Sequence, residues 1–150
     1  MIKLSRKGFT LIELIIVLTV IGVILGIAIP AYKGMKDEAN LTKARGDLNT
    51  LKTAVTSYYK NNGNTMPANI AAALTGATPK IINNILSDPY NTDATTTPKT
   101  YGYISGTDTV AGDYFIVYSK GPNGIVETSW DATNHKVTST VDDIEEDNQK

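Results

Sequence analysis

The chain has 150 residues, no cysteine, one histidine and a formal charge of −1 from 14 basic and 15 acidic side chains. That length suits one small domain. The lack of cysteine excludes disulfides, thiolate metal sites and cysteine catalysis, and no basic patch in the body points to nucleic acid.

The first seven residues carry Lys3, Arg6 and Lys7 with no acid, so removing them takes the charge from −1 to −4. From Phe9 to Ala31 the sequence is then apolar apart from two threonines and Glu13. These 23 residues would reach roughly 34 Å as a helix, enough to cross a bilayer core of about 30 Å. The run is too long for the apolar part of a secretory signal peptide, and no A-x-A cleavage site follows it. A plain membrane anchor fits the length and the basic flank. It leaves Glu13 unexplained, because an acid at the bilayer centre costs about 2.5–3.5 kcal/mol and less near an interface.

Cleavage between Gly8 and Phe9 would supply a partner. It leaves a charged amine on Phe9, four residues before Glu13. The two charges can pair within one helix or between subunits offset along a shared axis. The second arrangement neutralises both in an apolar bundle and fixes register, the best-attested use of a buried ion pair. Gly8, without a Cβ, obstructs a peptidase least. Pro30 lacks an N–H and is expected to kink or loosen the helix. Gly22 and Gly26 would permit close helix approach.

Gly8-Phe9-Thr10-Leu11-Ile12-Glu13, behind a basic leader and ahead of a long apolar helix, resembles the class III signal of type IV pilins and pseudopilins. The resemblance implies cutting after Gly8 and N-methylation of Phe9 by a membrane-embedded aspartyl peptidase. It gives Glu13 a role in membrane extraction and subunit alignment, and Pro30 falls where such helices often carry a proline.

After Tyr32 the pattern turns amphipathic. Leu41, Ala44, Leu48, Leu51, Val55 and Tyr58 recur at spacings of three and four, one apolar stripe of a helix half-buried against a soluble domain. Lys36, Asp37, Lys43, Arg45, Asp47 and Lys52 occupy the other faces, and Tyr58 and Tyr59 read as core packing. One helix is predicted from about Thr10 to Lys60, stopped by Asn61-Asn62-Gly63-Asn64. Segments 67–74 and 80–86 read as short helices or turns, and 87–100 as loop. Strands are predicted over 100–105 and 113–119, joined by a turn, with a third over 135–141. Gly121-Pro122-Asn123-Gly124 is a turn. Asp142 to Asp147, five acids in six positions, opens a possible ligand loop and leads into a mobile terminus.

The fold class is therefore α+β, with a leader over 1–8, a membrane and filament-core helix over 9–32 and a headgroup over 33–150. The layout resembles the pilin fold. "YYKNNGNTMP", "DPYN" ahead of "YGY", and "VYSKGPNG" are most similar to the major pseudopilin of type II secretion systems. The missing cysteine agrees, since many major pilins close a C-terminal loop with a disulfide. This resemblance implies a calcium ion held by Ser119, the turn at Asn123 and the pair Asp142 and Asp143, with Asp131 as rival ligand; hard oxygen donors on a loop suit Ca²⁺.

Nothing supports catalysis. His135 reads as a surface residue, and no nucleophile elbow, P-loop or dinucleotide fingerprint is present. The expectation is a non-enzymatic subunit of a periplasmic pseudopilus that drives protein export, held in the bacterial inner membrane with its N-terminus cytoplasmic. Its implied partners are other copies of itself, minor pseudopilins, the prepilin peptidase and the assembly platform. The alternatives are a subunit of a surface pilus (adhesion, motility or DNA uptake) and a single-span anchored binding domain.

Overall fold

A computed structural model of the chain describes residues 8–93, 95, 99–139 and 144–147. The chain divides into two compact units, Met1–Ala39 and Asn40–Lys150. One 51-residue helix, α1 (Leu11–Asn61), contributes to both.

In the first unit every described residue is exposed. The most apolar 18-residue window of α1 has a mean hydropathy of 2.9 and none of it is buried. An apolar surface that large on all sides of a helix is unstable in water and needs lipid or other helices around it. Pro30 lies inside α1, which continues past it.

In the second unit the apolar stripe is the buried one. Ala44, Leu48, Leu51 and Val55 are buried as their spacing predicts, and Ala54 joins them. They pack with Phe115, Val117, Tyr101, Ile70 and Leu74. The sheet supplying the opposite wall comprises β1 (Gly102–Asp108), β2 (Gly112–Ser119) and β5 (Ile144–Asp147), in the order β1-β2-β5 with both pairings antiparallel. A separate hairpin joins β3 (Ser129–Asp131) to β4 (Lys136–Thr138). A short helix, α2 (Ile70–Gly76), is capped by Asn69, whose Oδ1 accepts from Ala72 N at 3.1 Å. Asn69 thereby satisfies one of the helix's unpaired first-turn donors.

Two sequence expectations are altered. The strand expected over 135–141 pairs as β4 with β3 and does not extend the main sheet. The third strand of the main sheet is instead β5, within the acidic run, where Tyr118 faces Glu145 and Ile116 faces Asp147. A run of acids carries no apolar alternation to mark a strand, yet an edge strand accepts charges because they block further pairing. Residues 80–86, expected as a short helix or turns, form no helix, and Ile81 and Ile82 donate their N–H groups to Leu74 O at 3.3 and 3.2 Å.

Polar clasps fix α1 to the rest of this unit. Tyr59 donates to Asp113 Oδ2 at 2.9 Å, while Thr107 donates to the other oxygen at 2.7 Å. Tyr101 donates to Asp47 Oδ2 at 2.8 Å, so Asp47 is a docking residue and not part of a solvent face. Burial, and then the Asp47 carboxylate, push the Tyr101 hydroxyl above the usual phenol range.

On the other face of the sheet two tyrosines lie over glycines of the neighbouring strand. Gly102 pairs with Tyr118 and Gly106 with Tyr114. A Cβ at Gly102 would lie 2.2 Å from Tyr118 Cζ, and one at Gly106 would meet Tyr114 Oη at 2.7 Å. Gly102→Ala is expected to cost about 1–3 kcal/mol as overpacking, measured as a lower urea midpoint. Tyr118→Ala in the same background should restore much of the loss.

Candidate functional site

The N-terminal end of α1 gathers the residues that the sequence singles out. Phe9, Leu14 and Val17 border Glu13, and Gly8 and Phe9 precede the helix. Glu13 is not left to wait for a distant amine. Its Oε2 accepts from Thr10 N and from Thr10 Oγ1, both at 2.8 Å, while Glu13 N donates to Thr10 Oγ1 at 3.3 Å.

This is a capping box. Thr10 and Glu13 satisfy two of the donors that a helix start leaves unpaired, and the carboxylate lies in the first turn, where the helix dipole favours negative charge. Residue-by-residue reading missed Thr10, although T-x-x-E ahead of an apolar run is the sequence signature of such a cap. The Thr10 bonds both go to Oε2, and among the described residues Glu13 Oε1 has no partner, so a second donor can be accommodated without breaking the cap. An acid held in this way can sit at a membrane interface and still receive a cation later.

Of the residues that the resemblance implies for calcium, Ser119, Asn123 and the rival Asp131 are described. Ser119 is fully buried and donates to Asp88 Oδ1 at 2.8 Å. Asp88 Oδ1 also accepts from Tyr90 N at 2.9 Å and Oδ2 from Lys120 N at 3.4 Å. Asp88 thus ties the loop before β1 to the end of β2, a link between positions 31 apart that spacing could not reveal. Asn123 Oδ1 accepts from Ile125 N at 2.7 Å. Asp131 accepts from Thr133 N, Asn134 N and Asn134 Nδ2. These three ligand candidates are engaged in local structure, and Asp142 and Asp143 lie outside the described residues. Among the described residues no three His, Cys, Asp or Glu side chains gather to hold a metal ion.

His135 is not a plain surface residue. Its Nδ1 lies 2.8 Å from Asp108 Oδ1, and its backbone has a φ of 52°, the left-handed region that non-glycine residues seldom occupy. Asp108 also accepts from Val110 N at 2.8 Å, Ala111 N at 3.0 Å and Trp130 Nε1 at 3.3 Å. Trp130 stacks on Tyr114 with ring centroids 4.0 Å apart. One buried carboxylate therefore fastens the β3–β4 hairpin to the β1–β2 turn. The amides of Ala111 and Val110, then His135 and Trp130, hold the Asp108 carboxyl well below the usual carboxylate range.

A carboxyl depressed on folding contributes stability that is complete above its unfolded pKa of about 3.9 and is lost as pH falls through the folded value. Asp108→Asn is therefore expected to melt below the parent at pH 7. The gap should narrow below about pH 3, with Trp130, the single tryptophan, as the fluorescent reporter. An equal gap at both pH values would remove this role.

Comparison with known proteins gives a consistent set of relatives. The family model for the prokaryotic N-terminal methylation motif matches residues 3–29. The chain is 37% identical over 110 residues to the fimbrial protein EcpC of Eikenella corrodens, covering 71% of each chain. It is 38% identical over 73 residues to a fimbrial protein of Neisseria meningitidis serogroup A, covering 49% of this chain and 43% of that one. With the type IV major alpha-pilin of Moraxella bovis it shares 47% identity over 51 residues, covering 34% of this chain and 32% of that one. The chain thus spans less than half of the Neisseria and Moraxella proteins. No solved structure gives a match.

Proposed function

Because the chain belongs to the type IV pilin family, we propose that it is a non-catalytic structural subunit of a surface type IV pilus. The precursor is held in the inner membrane by α1, cut between Gly8 and Phe9 and N-methylated on Phe9. It then leaves the membrane to polymerise with other copies of itself. The observation that carries this reading is the fully exposed apolar part of α1 with an acid capped at its start. Such a surface requires lipid before assembly and neighbouring helices after it, and Glu13 keeps one oxygen for the amine of an adjacent Phe9.

The secretion pseudopilus expected above has less support. The relatives are named as fimbrial proteins and pilins, and only the cysteine-free chain and the three short local resemblances favour secretion. Deleting the gene is expected to remove surface pili seen by negative-stain microscopy while leaving exported protein in the medium unchanged. Lost export with pili intact would transfer the subunit to the secretion machine. Gly8→Trp should leave the protein as a heavier, uncleaved band and fail to restore pili. Full processing of that variant would remove Gly8 from the cleavage site.

A further inference from the structure

The apolar segment is followed at once by Tyr32, Lys33, Met35 and Lys36. No lysine or arginine occurs from Phe9 to Tyr32; the next cations are Lys33 and Lys36. Both lysines are exposed, as are Tyr32 at 66% and Met35 at 63%. At about 100° per helical residue, Tyr32, Lys33 and Lys36 occupy an arc of roughly 100°, with Met35 flanking it. An aromatic ring beside cations at the end of an apolar span has the composition of a membrane-interface anchor. The long lysine stems let the ammonium groups reach phosphates while the methylenes stay against the acyl region.

We propose that Tyr32, Lys33 and Lys36 form a docking surface for anionic phospholipid headgroups and that this surface sets the depth of the stored precursor. The proposal rests on the membrane-held precursor described above. Its consequence concerns Glu13, 19 residues earlier. On a helix that separation is about 28 Å, nearly the full hydrocarbon thickness of about 30 Å. With Tyr32 at one interface, Glu13 is at the other, not at the bilayer centre. The Gly8–Phe9 bond then lies beyond the hydrocarbon, where a peptidase has access to it. Asp37 and Glu38, which follow at once, stay on the aqueous side. Cleavage removes Lys3, Arg6 and Lys7, so the mature helix keeps its only cationic side-chain anchor at the Tyr32 end. The other end is then held by Glu13 and the new amine alone, which favours withdrawal towards the headgroup side.

The chain has no cysteine, so Ala28→Cys carries a fluorophore at one position. The full-length labelled protein is reconstituted in phosphatidylcholine vesicles with or without phosphatidylglycerol and read with nitroxide lipids that quench at shallow or deep positions. With phosphatidylglycerol, shallow quenching should exceed deep quenching at least twofold. The ratio should fall towards one without it, and also in the Tyr32→Ser, Lys33→Gln, Lys36→Gln triple variant. Equal ratios in both lipids and in the variant overturn the lipid surface, including the case where a protein partner covers these residues. A label at Ile21→Cys separates the two claims. Deep quenching there with no lipid dependence at residue 28 defeats only the docking surface. No quenching at residue 21 defeats the membrane-held precursor as well.

Discussion

Glu13→Leu should insert into the membrane and be cleaved like the parent, yet yield roughly thirtyfold fewer assembled filaments or less, since removing one member of a buried, hydrogen-bonded charge pair costs about 2–5 kcal/mol. In the membrane the substitution removes an acid from the end of an apolar helix, so insertion has no reason to fail. In the proposed polymer it would leave the Phe9 amine of a neighbour among apolar helices with nothing to neutralise it. The capping box sharpens this expectation, because in the proposed assembly Glu13 would exchange its own Thr10 for a neighbour's amine, or add that amine to it. Thr10→Val separates the two roles. It removes the hydroxyl that both donates to Glu13 and accepts from its N–H, but not the carboxylate. A loss near 0.5–2 kcal/mol in helix-start stability is expected from it, with filaments reduced far less than by Glu13→Leu. Immunoblots of sheared filaments against total subunit measure both. Parent-like filament yield from Glu13→Leu would sink the pairing role, whatever the Thr10 variant does.

What the sequence disclosed follows the range of the interactions involved. The apolar run from Phe9 to Ala31 and the stripe from Leu41 to Tyr58 are carried by composition and by a 3.6-residue period, and both are in place in the fold. The Thr10–Glu13 cap lies within four residues and is equally legible as T-x-x-E ahead of an apolar run. Asp88 with Ser119 and Asp108 with His135 join positions 31 and 27 apart, and no local pattern specifies such pairs. β5 was hidden for another reason. Its acids are tolerated because it lies at the sheet's edge, and edge position is a property of the finished sheet. Of the three local resemblances to a secretion pseudopilin, the first begins in the last turn of α1 and the other two lie beyond it.

Phe115→Ala is expected to be the most damaging single change in the headgroup, at about 3–5 kcal/mol for a fully enclosed aromatic. Phe115 is 1% exposed and sits on the face of β2 that meets Leu48, Leu51 and Val55 of α1. Its neighbour across the sheet is Ser105, and Tyr103 faces Val117, so no large side chain lies directly opposite to fill the space. The cavity would therefore remain, and the higher end of that range applies. Against a typical domain stability of about 5–15 kcal/mol, the loss should lower the thermal midpoint by roughly 10–20 °C. Ile125→Ala, on a residue 58% exposed, should stay within about 0.5 kcal/mol. Circular dichroism of the full chain in detergent micelles measures both, because the headgroup melts while α1 within the micelle keeps its helix. The Phe115 variant should still enter the membrane and be processed, since neither step uses the core. It should nevertheless be poorly incorporated into filaments, because the clasps from Tyr59 and Tyr101 hold α1 against the sheet only while that core is intact. A midpoint within 3 °C of the parent would mean that Phe115 does not organise the headgroup core.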